Sequence, residues 1–122
     1  MKYKIDIVRI RENSITLNGW VLGKSPESRA TFRVEDERHN PVKYKLVTTR
    51  RDDVSQIYFK QTYDKDFGFD IQFPYERGKT YWLLIRCEGR QAKIKYNEEL
   101  IAKRSSVAHK RMEKIKDLMN ME

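Results

Sequence analysis

A single cysteine, Cys87, means that no internal disulfide closes any loop of this chain. Its two histidines, His39 and His109, fall in different predicted elements, and one thiol cannot complete a thiolate site, so the ligand count argues against structural zinc. The five glycines stand singly at turns or within strands, which leaves neither a phosphate-cradling loop nor a serine nucleophile elbow. No apolar run approaches the roughly 20 residues of a membrane span. Lys2, Lys4, Asp6 and Arg9 interrupt the N-terminal stretch where a signal peptide would need its apolar segment. These absences point to a cytoplasmic, non-catalytic module, with no cofactor and no metal expected.

What is present is charge and short-range alternation. Of 122 residues, 36% are charged and 39% hydrophobic, polar for a globular domain yet sufficient for one thin two-layer core. The net charge of +8 raises the question of an anionic partner, whether nucleic acid, anionic lipid or acidic glycan. The basic residues are mixed with acids instead of forming a block, and solubility accounts for them equally well.

Ile15, Leu17, Gly19 and Val21 share one face of a period-2 pattern; Phe67, Phe69, Ile71 and Phe73 repeat it, as do Tyr81, Leu83, Ile85 and Cys87. Strict alternation predicts strands with one face in a core and one in water. The expected fold is therefore all-β, an antiparallel sandwich of about seven or eight strands, immunoglobulin-like or jelly-roll-like. It occupies residues 1–97, with Phe69, Leu83 and Ile85 in the core. Strand one, from about Tyr3 to Arg11, changes phase from Tyr3, Ile5 and Ile7 to Val8 and Ile10, which predicts a bulge or an edge. Strand two runs from Ser14 to about Leu22. Ala30, Phe32 and Val34 mark the third, and Arg38 to Pro41 turns the chain into Val42, Tyr44 and Leu46. Thr48 to Asp66 is a long connection with one helical turn near Val54 to Tyr58, followed by strands at Phe67–Phe73, Thr80–Cys87 and Ala92–Tyr96.

Residues 98–122 are expected to form a linker and a basic amphipathic α-helix, from about Ser106 to Asn120 and capped by Ser105 or Ser106. Its stripe is Ala108, Met112, Ile115 and Met119. From Lys103 onward the tail carries six Lys or Arg against three Asp or Glu, and it ends without a stop signal, as a linker into a further domain would. The stripe needs an apolar surface to cover it, which makes the helix a candidate docking element.

No pair of residues reads as catalytic. Asp64, Asp66 and Asp70 crowd a turn or lie opposite an aromatic face, as solvated charges do. Cys87 is in phase with core residues and behaves as a small hydrophobe. Trp20, Trp82, Tyr58, Phe59 and Tyr63 are the rings not assigned to the core. Exposed, they would stack on sugars or anchor a partner; on a basic barrel they would stack single-stranded nucleic acid, the alternative function. Covered by a loop or the tail helix, they would be structural. Arg51 and Asp53 fit a ligand site or, more simply, an internal ion pair pinning the long loop.

In order, Ile5-Asp6, Gly19-Trp20, Arg51-Asp52-Asp53-Val54 and Gly68-Phe69-Asp70-Ile71 resemble the N-terminal accessory β-sandwich of bacterial family 2 glycosyltransferases that build cell-wall rhamnan and related surface polysaccharides. The family's "I-D", "G-W", "R-x-D-V" and "G-F-x-I" elements are matched between Tyr3 and Tyr96, with Asp52 where proline is frequent. The resemblance implies a non-catalytic accessory domain, serving partner docking or acceptor-glycan binding. Its partners would be a catalytic domain of the same polypeptide, a glycan or another copy of itself, at the inner face of the membrane through the parent enzyme. The nucleotide-binding domain and acidic metal motif of such transferases are not in this sequence. Candidate contacts for glycan or partner are Trp20, Arg51, Asp53, Tyr58 and Trp82, and the candidate docking helix is Ala108, Met112, Ile115 and Met119.

Overall fold

A computed structural model of the chain describes residues 1–103. Seven antiparallel strands form two sheets among the described residues. The first sheet contains β1 (Lys2–Arg11), β2 (Ser14–Leu22), β4 (Lys45–Thr49) and β5 (Gly68–Pro74), in the order β1-β2-β5-β4. The second contains β3 (Ala30–Asp36), β6 (Tyr81–Cys87) and β7 (Arg90–Tyr96), in the order β3-β6-β7. This is the strand order of a constant-type immunoglobulin sandwich. A helix, α1 (Asp52–Phe59), is inserted between β4 and β5.

Alternation decides which side chains meet between the sheets. Ile15 and Leu17 of β2 and Phe69, Ile71 and Phe73 of β5 face Val34 of β3 and Leu83 and Ile85 of β6, all essentially without solvent contact. Each such side chain contributes on the order of 1.5–3 kcal/mol by leaving water. Phe32 packs against Phe69 across the sheets in a tilted pair, with ring centroids 4.8 Å apart. No disulfide pins the two layers, which hold together through this apolar core. At the corner entering β6, the Glu76 N–H donates to the Tyr81 hydroxyl at 3.1 Å, the backbone-to-tyrosine tie of immunoglobulin-like folds.

The phase change in β1 is a bulge. Ile5 pairs with Gly19 and Ile7 with Asn18, so Asp6 is the extra residue and Val8 returns to the inner face opposite Leu17. β2 occupies the span expected of it. The hairpin into β7 turns on Glu88 and Gly89, both with positive φ (53° and 76°), the geometry that matches strand twist.

Two expectations are corrected. Val42, Tyr44 and Leu46 do not form one strand continuing a hairpin. After Asn40 the chain leaves the second sheet, with a single bridge between Glu35 and Pro41, and joins the first as β4. β4 is an exposed edge, so its alternation carries no burial signal. The single helical turn is a full helix, and α1 closes with Lys60 in the left-handed region. At the C-terminal end, 98–103 are already helical, with the Leu100 N–H donating to Asn97 Oδ1 at 2.8 Å. Helix thus occupies 98–103, within the stretch expected to be linker, and Asn97 caps it. The expected helix from Ser106, with Ala108, Met112, Ile115 and Met119, lies outside the described residues.

Candidate functional site

The motif residues of the long connection converge on the outer face of the first sheet. β2 is buried on both sides near its end, because Trp20 and Leu22 point away from the main core into a second cluster with Val54 of α1 and Phe67. Phe59 and Tyr63 pack against the same cluster. Trp20 is 7% exposed and lies 5.4 Å from the Tyr58 ring. The helix has no side-chain N-cap, and Arg51 holds its start instead. Arg51 Nε and NH2 each donate to one oxygen of Asp53 at 3.0 Å, while NH1 donates to Asp6 Oδ2 at 2.9 Å, across to the bulge of β1.

Gly68 allows this approach, and Gly19 allows that of the β1 backbone beside the Phe69 ring. A Cβ on Gly68 would overlap the Arg51 side chain and the Thr49 hydroxyl, and one on Gly19 would overlap the Lys4 carbonyl oxygen. The two carboxylates hold the Arg51 guanidinium above its ordinary pKa, with the Asp53 hydrogen bond the larger cause. In return, the Arg51 hydrogen bond draws the Asp53 carboxyl below its usual range. Around this latch Arg50 spans Asp52 (3.0 Å) and Asp64 (3.2 Å), and the Thr48 hydroxyl donates to Asp66 at 2.8 Å. Ser55, fully buried, donates to the Gln61 carbonyl at 2.5 Å.

The assembly is a structural latch. Arg51 and Asp53 form the internal ion pair that was one of their two readings. Of the two readings of Trp20, the packed one holds, because α1 covers that end of the sheet. Phe59 and Tyr63, expected as surface rings, are half-buried against the same cluster. Tyr58, 41% exposed, keeps an open edge beneath Lys2, whose Nζ lies 4.5 Å from its ring centre.

The other candidate ring, Trp82, lies on the outer face of the second sheet, far in topology from the latch. It is half-buried, with Lys93 Nζ 4.6 Å and Lys95 Nζ 5.6 Å from its ring centre. The ring face that a sugar or base would stack on is thus in contact with two ammonium groups. Registers align Thr31-Arg86-Gln91, Arg33-Leu84-Lys93 and Glu35-Trp82-Lys95 across β3, β6 and β7. Arg33 bonds Glu35 at 2.7 Å, and Arg86 donates to Gln91 Oε1 at 2.7 Å. Lys93 and Lys95 meet no carboxylate among the described residues. Sequence reasoning named Trp82 here and missed Arg33, Arg86, Lys93 and Lys95. They occupy the polar phase of the very alternations that marked the core, and pairing order was needed to bring them together.

Among the described residues no group of three or more His, Cys, Asp or Glu is placed to hold a metal ion, and no helix is long and apolar enough to cross a membrane. Burial is the first cause raising the Cys87 thiol pKa, with Glu88 adding to it, so the thiolate is disfavoured. No family model matches the chain, and no curated protein matches it.

Proposed function

We propose that this chain is a non-catalytic accessory β-sandwich of a bacterial glycosyltransferase, presenting a surface to the acceptor glycan or to a partner in the same polypeptide. One observation carries it. Asp6, Trp20, Arg51-x-Asp53-Val54 and Gly68, scattered over the sequence, meet in one latch that fastens α1 to the first sheet. The elements that resemble the accessory domain are thereby accounted for as its scaffold, which leaves the module's outer surfaces for binding. The single-stranded nucleic-acid alternative loses support at the same point, since Trp20 is packed and the Trp82 ring lies under two lysines.

The test is made on the parent enzyme, the polypeptide that would carry this module beside a catalytic domain. Deleting this module should leave transfer to a short soluble acceptor intact and impair transfer to the polymer. Loss of both activities to the same extent, or a reading frame without an α/β nucleotide-sugar domain, would contradict the proposal. The isolated chain should turn over no nucleotide sugar.

A further inference from the structure

The outer face of the second sheet holds two adjoining hollows. One, of about 490 Å³, is lined by Thr31, Arg33, Glu35, Leu84 and Arg86. The next, of about 350 Å³, is lined by Arg29, Thr31, Arg86, Glu88, Arg90 and Gln91. Thr31 and Arg86 belong to both, so the hollows form one trough along β3 and β6 with Lys93 and Lys95 on its flank. Same-face positions recur about every 6.8 Å along a strand, so an extended chain lying here meets a cation at short intervals. Arginine supplies the paired N–H donors that suit carboxylate or phosphate groups. Arg29 and Arg90 meet no carboxylate among the described residues, and Arg86 bonds only a neutral amide.

We infer that this trough binds an acidic glycan, a linear sugar polymer bearing carboxylate or phosphate groups. The choice of a glycan as the polyanion rests on the accessory-domain proposal and on two features of the trough. Glu35 and Glu88 line it, carboxylates that accept the hydroxyl hydrogen bonds each sugar unit offers beside its charge, as does the Gln91 amide oxygen. A nucleic-acid strand would gain base stacking only from an open ring, and Trp82 is in contact with Lys93 and Lys95. The Arg51 latch plays no part in binding.

Titration calorimetry at low salt with oligogalacturonate supplies the carboxylate probe, and a phosphorylated oligosaccharide the phosphate one. Binding of at least one is expected, weakening as salt rises. The pair Arg86→Gln and Arg90→Gln should weaken it about tenfold or more, the loss of charge-assisted hydrogen bonds. Arg9→Gln with Arg11→Gln removes the same charge from exposed positions of β1 and should leave affinity unchanged, with both variants keeping the native circular dichroism spectrum. Equal losses in the two pairs, no binding of either probe, or equal binding of a neutral maltooligosaccharide would overturn the trough while leaving the parent-enzyme test standing. Tighter binding of oligo(dT) would overturn the glycan assignment and count against the accessory-domain proposal as well.

Discussion

Arg51 sits at the point where three separated stretches of sequence meet, and its geometry makes specific demands. Its guanidinium is 29% exposed and bonds Asp53 twice and Asp6 once. Such a partly solvated network is worth about 1 kcal/mol, so Arg51→Gln should lower the urea unfolding free energy by about that amount. Asp6→Asn should cost a similar amount, and the double variant less than the sum of the two, because each single change already breaks the shared bond. Full additivity would mean that the bridge to β1 does not form. The same network sets an acid dependence. Asp53 has its folded pKa drawn down by Arg51, Glu88 by the Ser28 hydroxyl and the Lys24 N–H, and Asp36 by the backbone N–H groups of Asn40 and Arg38. A depressed carboxylate stabilises the fold above its unfolded pKa and loses that contribution as pH falls through its lower folded value. Unfolding midpoints should therefore hold from neutral pH down to about 5 and fall below about 4, with a shallower fall in Arg51→Gln. That Arg51 and Asp53 pair was legible from their spacing in the sequence. That Asp6 joins them was not, since it depends on the bulge aiming one residue of β1 at a loop over 40 positions away.

Elements differ in how plainly they announce themselves. β2, β5 and β6 alternate cleanly because each has a face in the core, and Phe69, Leu83 and Ile85 are buried as their phase required. Leu83→Asp should destabilise the fold by about 4 kcal/mol or more, an unpaired charge at a fully buried position, seen as collapse of amide NMR dispersion. A folded Leu83→Asp would mean the strand phase is wrong. β4 and α1 were harder to see. β4 is exposed along its length, and α1 carries a mixed stripe in which only Val54 and Ser55 are fully covered while Ile57 is 64% exposed. The helix covers Trp20 all the same, and this has an optical consequence. In Trp82→Phe, the remaining indole should emit at short wavelength and resist iodide quenching. In Trp20→Phe, the Trp82 emission should be redder and more readily quenched. Equal quenching in the two variants would place both rings in similar surroundings and undo the assignment of Trp20 to the second cluster.

For the whole molecule, the two sheets divide the work. The first uses its outer face to anchor α1; the second, among the described residues, carries on its outer face Arg33, Arg86, Lys93, Lys95 and a half-buried tryptophan. Composition announced a basic protein, but the scattered charges gave no patch, because the patch exists only once β3, β6 and β7 lie side by side. Trp82 alone stood out beforehand, and Trp20 stood out for a reason that proved structural. The central claim is that the motif-rich latch is scaffold and the second sheet's outer face is the binding surface. Chemical-shift mapping of the ¹⁵N-labelled chain titrated with the acidic oligosaccharides tests it most directly. The account predicts shifts along β3, β6 and β7, a moving Trp82 indole, and a silent Trp20 indole with unmoved Arg51 and Asp53 amides. Shifts centred on Trp20, Arg51 and Asp53, with the second sheet unmoved, would contradict it.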